Sequence, residues 1–468
     1  MKSIINDNIE AVIGLSDLVA TTLGPVGMNK LLVDNIGDMT VTNDGGVIID
    51  KIELNHPVVK LVAETAKGLS VDGRKTVIVL TGELLRQAGK LLEQGLKPAQ
   101  IINGYDLALK DSLKILRAQS IKGELKNAIN TSINNDLITS LIVESVSKAL
   151  PDDVRVIKKT GGNVSDSRLI NGLMIDKERV HSGMPSKVKQ ARILITKTPL
   201  EPRTTEFNAG VEINSPSELS HLINNENESI NRVIKAIINS GANVIFCQKG
   251  ISDYAQELLA RNNILAIRRV REDDIKLLIK ATGASLVSNI IEVKESDLGN
   301  AGLISTEQFS DERLTVINDC AGRVVTIMVR GSTKQVVDET EQLIKKGLGI
   351  ARLLTKSVNC VPGAGAIELI ISNELSKSNI NGRESISYQS FALSVKRIIE
   401  LLAINSGVKA IDLMTHLKNG EGINAEGGII NPLKEGIIEP LIIKEQVFTS
   451  ATETANMILR IDGILKGK

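Results

Sequence analysis

The two ends of the chain carry the apolar periodicity of helices, and the middle of the chain does not. Apolar side chains recur at helical spacing from Ile9 to Thr22 and from Val77 to Leu92, and another helical stripe runs from Ala366 to Leu375. Between these ends, short strand-like and helix-like segments alternate. The pattern predicts one helical domain built from both ends of the chain, with an α/β region inserted between its two parts.

The middle of the chain predicts parallel strands joined by helices. The expected strands and helices, in chain order, are Ala242–Gln248, Asp253–Arg261, Ile264–Val270, Asp273–Ala281 and Ala284–Ser288. Strands that alternate with helices in this way form βαβ units, in which the helix connects two parallel strands. Nearer the N-terminus, two further strands, Lys30–Val33 and Met39–Thr42, are expected on either side of a turn at residues 35–38.

A partly polar helical segment precedes the βαβ unit. Ser215, Pro216 and Glu218 form a capping box with proline at the first helical position. A polar stretch at residues 224–229 then leads into a helix that Gly241 is expected to end. The apolar face of this helix is expected to contain Ile230, Val233, Ile234, Ile237 and Ile238. The segment therefore predicts a helical excursion from the α/β region.

The composition argues against several classes of protein. The 56 basic and 55 acidic residues leave a net charge of +1, so no nucleic-acid or membrane-surface partner is expected. The chain has 5 Phe, 3 Tyr and no Trp, which disfavours modules that stack bases on aromatic side chains. Its 3 cysteines are widely spaced, which indicates neither a disulfide framework nor a zinc site. No segment has the apolar length of a membrane span, so we expect a cytoplasmic location.

Two glycine-containing turns lead into helix N-termini, at Asp72-Gly73 and at residues 363–365. A helix N-terminus presents unpaired backbone N–H groups and a positive dipole end, and glycine lets a phosphate approach the backbone closely. Asp44 and Asp72, each followed by glycine, are carboxylates that could hold Mg²⁺ beside phosphates. These residues fit a nucleotide site, but they fit plain helix starts equally well, so both interpretations stay open.

Six ordered blocks of the chain resemble the group II chaperonins, the family of the archaeal thermosome and the cytosolic CCT complex. The blocks are TTLGPVGMNKLLVD (21–34), VTNDGGVIID (41–50), VDGRKTVIVLTGELL (71–85), VPGAGAIELIISNEL (361–375), NSGVKAIDL (405–413) and ILRIDGIL (458–465). Residues 240–270 are similar to the apical domain of the thermosome. Because the resemblance covers nearly the whole chain, in order and at the family's spacing, the chain is identified as a member of this family.

The resemblance implies a multidomain fold that combines α and α/β domains. The expected domains are an all-α equatorial domain (1–134 and 361–468), a small α/β intermediate domain (135–184 and 321–360) and an α/β apical domain (185–320) whose helical protrusion spans about residues 204–239. The resemblance also implies double rings of like or unlike chaperonin subunits and unfolded polypeptides as clients. Leu219, Leu222 and Ile223 in the protrusion would contact clients, pack against neighbouring subunits or form a local core, and these alternatives stay open.

The nucleotide site of the family maps onto a set of residues in this chain, and the resemblance implies that ATP or ADP binds there with Mg²⁺. The set is Thr22, Leu23, Gly24, Pro25, Asn43, Asp44, Gly45, Asp72, Gly73, Arg74, Lys75, Thr76, Gly363, Ala364, Gly365 and Asn431. Asp72 is the expected Mg²⁺ ligand, and Asp44 is the carboxylate expected to position water. Asn431 takes a position near the ribose where the family usually has an aspartate.

The chain departs from the family pattern where hydrolysis is expected. In the block that corresponds to the family's GDGTT, Val71 replaces the first glycine, and Arg74 and Lys75 replace two threonines. Counting back from Gly363, Lys346 takes the position of the family's catalytic aspartate. An ammonium group with a reference pKa of ~10.4 is protonated at neutral pH and cannot accept a proton from water.

These departures predict a ring subunit that binds unfolded polypeptide and hydrolyses nucleotide weakly or not at all. A fully ATP-hydrolysing subunit, rescued by other residues, is the alternative. The cations Arg74, Lys75 and Lys346 would either hold nucleotide tightly by replacing part of the Mg²⁺ charge, or pair with Asp44 and Asp72 in an empty pocket. A decayed pocket in which these residues are merely tolerated is a third interpretation.

Overall fold

A computed structural model describes residues 4–33, 37, 39–69, 71–201, 216–309, 312–378 and 380–465, without the side chains of 216–226, 309 and 312. The chain divides into two compact units. The first, which we call the helical unit, contains Met1–Ser140 and Lys345–Lys468, and the second, the sheet unit, contains Leu141–Ile344. The first unit is thus built from both ends of the chain, as the sequence pattern predicts.

The described part of the chain is rich in helices. They are α1 (Ile4–Ala20), α2 (Gly45–Lys51), α3 (Pro57–Gly68), α4 (Arg74–Glu93), α5 (Pro98–Ala118), α6 (Leu125–Ile133), α7 (Asp136–Lys148), α8 (Pro216–Asn239), α9 (Asp253–Arg261), α10 (Glu272–Thr282), α11 (Lys334–Lys356), α12 (Ala366–Ser376), α13 (Glu384–Asn405), α14 (Ala410–His416) and α15 (Leu441–Ile458). None of these described helices has both the length and the apolar character needed to cross a membrane.

The strands are shorter and form several sheets. They are β1 (Lys30–Val33), β2 (Met39–Thr42), β3 (Ile121–Lys122), β4 (Val154–Thr160), β5 (Arg168–Ile170), β6 (Gly172–Ile175), β7 (Lys187–Thr196), β8 (Val244–Cys247), β9 (Leu265–Ile267), β10 (Leu286–Val287), β11 (Gly299–Phe309), β12 (Glu312–Cys320), β13 (Val325–Gly331), β14 (Asn359–Pro362), β15 (Gly422–Ile423), β16 (Ile429–Ile430) and β17 (Ile438–Pro440). The bounds of β1, β2 and α9 are those predicted from the sequence.

The core of the helical unit forms around α4, which packs against α1, α13 and α15. Val77, Ile78 and Leu80 on α4 are almost completely buried, because neighbouring helices cover this helix on several sides. Branched aliphatic side chains fill most of the core. Tyr105 and Phe391 supply an edge-to-face aromatic contact with ring centroids 5.8 Å apart. This packed core fixes the N-terminus of α4, where the candidate site lies.

The sheet unit contains a seven-stranded sheet in the order β6-β12-β11-β7-β8-β9, with β10 paired to β7. Strands β7, β8 and β9 are mutually parallel, and β10 is parallel to β7. The predicted parallel βαβ arrangement is therefore confirmed. A separate three-stranded sheet has the order β4-β13-β5.

The predicted helical excursion contains one continuous helix, α8, which includes the polar stretch at residues 224–229. Ile230, Ile234 and Ile237 are buried, whereas Ile238 is 40% exposed, so the buried face is narrower than the sequence pattern indicates. Gly241, with φ of +79°, follows the helix as predicted. Residues 204–215 and the side chains of Leu219, Leu222 and Ile223 lie outside the described residues.

Candidate functional site

Asp72 and Gly73 form the turn that begins α4. Gly73 has φ of +88° and is the N-cap residue of the helix. This backbone conformation favours glycine, and a Cβ atom at this position would also lie only 2.5 Å from Cγ2 of Val447. The backbone N–H of Gly73 donates to Asp72 Oδ1 at 2.8 Å. The turn therefore holds the Asp72 carboxylate against the start of the helix.

The second oxygen of Asp72 faces a cation. Lys346 Nζ on α11 lies 3.1 Å from Asp72 Oδ2, and the two side chains are 21% and 30% exposed. Lys346 also donates to the backbone carbonyl of Ser132 at 3.0 Å, while the Ser132 hydroxyl donates to Asp72 Oδ2 at 2.7 Å. Lys346, Ser132 and Asp72 therefore form a closed set of charge-assisted hydrogen bonds.

The surroundings of Asp72 decide its ionisation. Burial alone would raise the pKa of this carboxyl group, but the Lys346 ammonium, the Ser132 hydroxyl and the Gly73 N–H together hold the pKa below its ordinary value. Asp72 is therefore a carboxylate at neutral pH. Its negative charge is balanced by a side chain of the same unit.

Asp44 lies at the N-terminus of α2, close to the start of α4. Its Oδ1 accepts hydrogen bonds from the backbone N–H groups of Gly46 (2.8 Å) and Val47 (3.0 Å), which makes Asp44 the N-cap of α2. A Cβ atom at Gly46 would lie 2.1 Å from Nη1 of Arg74 and 3.0 Å from Asp44 Oδ1. The Arg74 guanidinium and the Asp44 carboxylate therefore both border this glycine.

The lack of a side chain at Gly45 leaves space for Lys75. A Cβ atom at position 45 would lie only 2.5 Å from Cγ of Lys75. Lys75 Nζ donates to the backbone carbonyl of Thr22 at 2.7 Å, which joins the segment Thr22–Pro25 to the start of α4. Burial and the nearby Lys346 ammonium lower the pKa of Lys75 to about 8, although Asp72 and Asp44 oppose the shift. The amine of Lys75 is thus closer to neutrality than that of an ordinary lysine.

The second glycine turn, Gly363-Ala364-Gly365, begins α12. Gly365 is the N-cap residue with φ of +79°, and Ala364 also has a positive φ of +54°. A left-handed backbone costs alanine more than glycine, so the turn carries some strain at this position. Gly363 N–H donates to the carbonyl of Ile437 at 2.9 Å, and the Ala364 carbonyl accepts from the N–H of Ile423 at 3.0 Å.

Strand pairing and hydrogen bonds connect the two glycine turns. β14, which ends at Pro362 just before the second turn, pairs with β17. The N–H of Ile438 on β17 donates to the hydroxyl of Thr131 at 3.1 Å, and the next residue, Ser132, bonds Asp72. These contacts link the turn at residues 363–365 to the turn at Asp72 within the helical unit.

A buried ion network supports this site. Lys444 Nζ lies 2.5 Å from Glu368 Oε1 and 2.9 Å from Glu439 Oε2. Burial opposes the charge on Lys444, but the two carboxylates raise its pKa above the ordinary value. The pKa of Glu439 is raised by burial and by the nearby carboxylates of Glu368 and Asp72, against the effect of Lys444. Glu439 Oε1 would lie 3.4 Å from a Cβ atom at Gly363, so the network borders the second turn.

Three further predicted residues make mainly local contacts. Thr76, in the first turn of α4, makes no hydrogen bond through its hydroxyl group to another described residue. Asn431 is exposed, and its side chain accepts from the N–H groups of Leu433 and Lys434. Asn43 is half-buried directly before Asp44. Thr76 thus has a hydroxyl group available to a ligand, whereas the Asn431 oxygen stabilises its own turn.

Sequence reasoning missed four residues of the site. Glu368 in AIELII and Glu439 in IIEPLII each interrupt an apolar run, and an isolated charge in such a run is a signal for a buried ion pair. Lys444 is followed directly by Glu445, and Ser132 lies in a polar stretch of the sequence, so neither residue gives such a signal. Their roles become visible only in the folded helical unit.

The residues of the site suit the phosphates of a nucleotide better than they suit its Mg²⁺ ion. The helix starts at α4 and α12, the glycine turns and the free hydroxyl of Thr76 suit phosphate oxygens. Asp72, the expected Mg²⁺ ligand, instead binds Lys346, Ser132 and Gly73 through its two oxygens. The site fits phosphates, but it does not fit Mg²⁺ in this arrangement.

A model of the TCP-1/cpn60 chaperonin family matches residues 15–468 of the chain. The chain belongs to this chaperonin family. It is 36% identical to thermosome subunit alpha of Thermoplasma acidophilum over 502 aligned positions, which cover 100% of this chain and 92% of that subunit. It is 37% identical to a thermosome subunit of Methanopyrus kandleri, with coverage of 98% and 91%, and 38% identical to thermosome subunit beta of Methanothermobacter thermautotrophicus, with coverage of 96% and 89%.

These relatives make the chain a group II chaperonin, as the six sequence blocks predict. The chaperonin family also agrees with the observed combination of a helical unit and an α/β sheet unit, so the predicted fold class is confirmed. The site at the start of α4 and α12 contains the chaperonin blocks VDGRKTVIVLTGELL and VPGAGAIELIISNEL. The ion pair between Lys346 and Asp72 joins residues at two positions that the chaperonin resemblance assigns to nucleotide chemistry.

Proposed function

We propose that this chain is a ring subunit of a group II chaperonin that assists protein folding by binding unfolded polypeptide, and that its nucleotide site hydrolyses ATP weakly or not at all. The chaperonin part rests on the family match and on the thermosome relatives. The hydrolysis part rests on one observation, the 3.1 Å ion pair between Lys346 and Asp72.

The ion pair bears on hydrolysis in two ways. A protonated amine cannot take a proton from an attacking water, so Lys346 does not replace a catalytic carboxylate. The same amine neutralises Asp72, the carboxylate expected to bind Mg²⁺. Asp44 is then the remaining carboxylate for positioning water, and one of its oxygens already caps α2.

We assign the helical unit to the equatorial domain, and the sheet unit to the intermediate and apical domains. The three-stranded sheet of β4, β13 and β5 supports an intermediate domain near residues 135–184 and 321–360, and the seven-stranded sheet supports an apical domain around residues 185–320. β6 joins the seven-stranded sheet, and the helical unit includes the chain from Lys345 onward. The domain bounds themselves stay a prediction.

The hairpin of β1 and β2 supports assembly with other chaperonin subunits. Leu31 pairs with Val41 and Val33 pairs with Met39, and all four side chains are 60% to 67% exposed. Four apolar side chains on one face of a two-stranded ribbon are unusual on a monomer surface and are typical of a surface that a partner covers. We therefore propose that a neighbouring subunit covers this face in the ring.

The clients and the nucleotide are carried over from the family. Membership of the chaperonin family supports ATP or ADP as the nucleotide. Binding of clients through the helical protrusion stays a prediction, as does the cytoplasmic location. No nucleic-acid or membrane partner is proposed.

Measurement of phosphate release by the purified, assembled protein tests the proposal. With ATP and MgCl₂ in excess, we expect release at least about a hundredfold slower than that of an active thermosome under the same conditions, because general acid–base groups contribute about this much or more to rate. Suppression of the aggregation of an unfolded client should persist in the same preparation. Turnover comparable to the active thermosome would refute the proposed lack of hydrolysis.

The alternative function is a fully ATP-hydrolysing folding subunit in which other residues replace the catalytic aspartate. No described contact specifically favours it. The same assay separates the two, because the alternative predicts rapid phosphate release. If Asp44→Asn abolished this phosphate release, Asp44 would be identified as the residue that replaces the catalytic aspartate.

A further inference from the structure

Three positive side chains, Arg74, Lys75 and Lys346, lie beside the two aspartates of the site, Asp44 and Asp72. Lys75 is close enough to Lys346, Asp72 and Asp44 for each of these three groups to shift its pKa. The Arg74 guanidinium borders Gly46 together with Asp44. Three cations therefore share the region between the N-termini of α2 and α4.

Lys346 occupies the position that a metal ion would need. Mg²⁺ requires oxygen ligands in a nearly octahedral arrangement, and it binds proteins mainly through carboxylates and substrate phosphates. Asp72 Oδ2 already accepts from Lys346 Nζ and from the Ser132 hydroxyl. A divalent cation at this oxygen would displace the ammonium and would be repelled by it at short range.

Hydrogen-bond donors for phosphate are nevertheless present. A lysine ammonium has three N–H donors, and Lys346 uses two of them, toward Asp72 and the Ser132 carbonyl. Lys75 uses one donor toward Thr22, and the Thr76 hydroxyl has no partner among the described residues. The first backbone hydrogen bond of α4 runs from Val77 N–H to Gly73 O, so the preceding N–H groups have no acceptor within the helix.

From these observations we infer that the site takes a nucleotide without Mg²⁺, and that the Lys346 ammonium supplies part of the counter-charge that the metal would otherwise provide. The inference rests on the proposed function, because it assumes that this pocket is a nucleotide site. It predicts that chelation of divalent cations leaves binding intact, and that the charge at position 346 decides whether the metal is required.

Calorimetric titration of the assembled full-length protein with ADP tests the inference, because ADP binding is measured without turnover. The titration is done in excess EDTA and again in excess MgCl₂. The wild type should bind ADP at least as tightly in EDTA as in MgCl₂. Lys346→Met should lower the affinity in EDTA by about tenfold, the effect expected for loss of one charged hydrogen-bond donor. Lys346→Arg, which keeps the charge, should bind in EDTA nearly as the wild type does.

Two further variants sharpen the test. Lys346→Asp should make ADP binding depend on MgCl₂, because a second carboxylate then faces Asp72 and favours a divalent cation. Lys356→Met is the matched control. Lys356 is exposed on the same helix, makes no contact with another described charged residue, and should leave ADP affinity unchanged in both conditions.

Three outcomes would overturn the inference. The wild type could bind ADP only with MgCl₂, it could bind no ADP in either condition, or Lys346→Met could bind ADP in EDTA as tightly as the wild type. Each of these outcomes leaves the proposed chaperonin function in place, provided that phosphate release is slow. Rapid phosphate release in MgCl₂ would instead refute the proposed lack of hydrolysis, so the two failures are distinguishable.

Discussion

The Lys444 ammonium lies 2.5 Å from the Glu368 carboxylate inside the helical unit, and both side chains are at least nine-tenths buried. Glu439 binds the other side of the same ammonium at 2.9 Å. One lysine thus binds two carboxyl groups that come from different parts of the sequence. The network borders the turn at residues 363–365. A change in the network should therefore alter both the stability of the helical unit and the geometry of the candidate site.

Lys444→Met should destabilise the helical unit by about 3 kcal/mol, because removal of one member of a buried ion network leaves uncompensated charge behind. Urea denaturation followed by circular dichroism measures the change. Lys114→Met, which breaks an exposed pair with Asp111, should change the free energy of unfolding by less than about 0.5 kcal/mol. Equal effects of the two variants would show that the buried network adds no special stability.

The triple variant Lys346→Asp, Arg74→Thr, Lys75→Thr should increase ATP turnover by about a hundredfold or more over the wild type, because it restores a proton-accepting carboxylate and two hydroxyl groups. Phosphate release by the assembled protein measures the increase. The single variant Arg74→Thr should have little effect, since Lys346 still faces Asp72. A triple variant that binds nucleotide but stays inactive would place the block outside these three residues.

Lys75 should give the stability of the helical unit a distinctive pH dependence. Below about pH 8 its amine is charged in the folded and unfolded chain alike, and burial of that charge opposes folding. Between about pH 8 and the ordinary lysine pKa of ~10.4, the folded amine loses its proton first, so the free energy of unfolding rises with pH.

Lys75→Met removes this titration. The free energy of unfolding of the wild type minus that of the variant should therefore depend on pH. We expect this difference to rise by on the order of 1 kcal/mol from about pH 7 to about pH 9.5. Urea denaturation of both proteins at the two pH values measures it. A pH-independent difference between them would mean that the pKa of Lys75 is not depressed in the folded protein.

The exposed face of the β1–β2 hairpin should matter for assembly rather than for folding. Leu31→Thr with Val41→Thr should shift the protein toward smaller species in analytical ultracentrifugation, because apolar contact area with the neighbouring subunit is lost. Threonine is well tolerated in strands, so the midpoint of thermal unfolding should change little.

Ile291→Thr is the control for the hairpin variant. Ile291 is 59% exposed in the sheet unit, away from the hairpin in the sequence, and its substitution should leave the assembled mass unchanged. If the hairpin variant forms particles of full mass while the control behaves as expected, a neighbouring subunit does not depend on this face.

Some helices and strands were predicted well from the local sequence alone. The bounds of β1, β2 and α9 were predicted correctly. In the structure, α9 begins after the N-cap Ser252, whose side chain accepts from the N–H of Ala255. The antiparallel pair β11 and β12 escaped prediction, because its long strands are mixed in polarity and their pairing depends on the neighbouring strands β7 and β6.

The site was predictable only in part. The glycine turns and the position of Lys346 follow from family blocks and spacing, and the structure brings Lys346 to Asp72. The Ser132 contact was not predictable, because Ser132 lies 60 residues from Asp72 and meets it through tertiary packing. The direction of the Arg74 guanidinium, toward the Leu69 carbonyl and Gly46 rather than toward Asp72, likewise depends on the packing of α2 on α4.

The ammonium of Lys346 is covalently attached to the polypeptide, whereas a Mg²⁺ ion must bind from solution. A soluble counter-ion must be recruited from solution for each binding event and is free to leave with the product, whereas a tethered one is present at a fixed and high effective concentration. Starvation of the cell for magnesium would therefore leave the charge of this pocket unaltered. A subunit with such a pocket would respond to the supply of nucleotide alone.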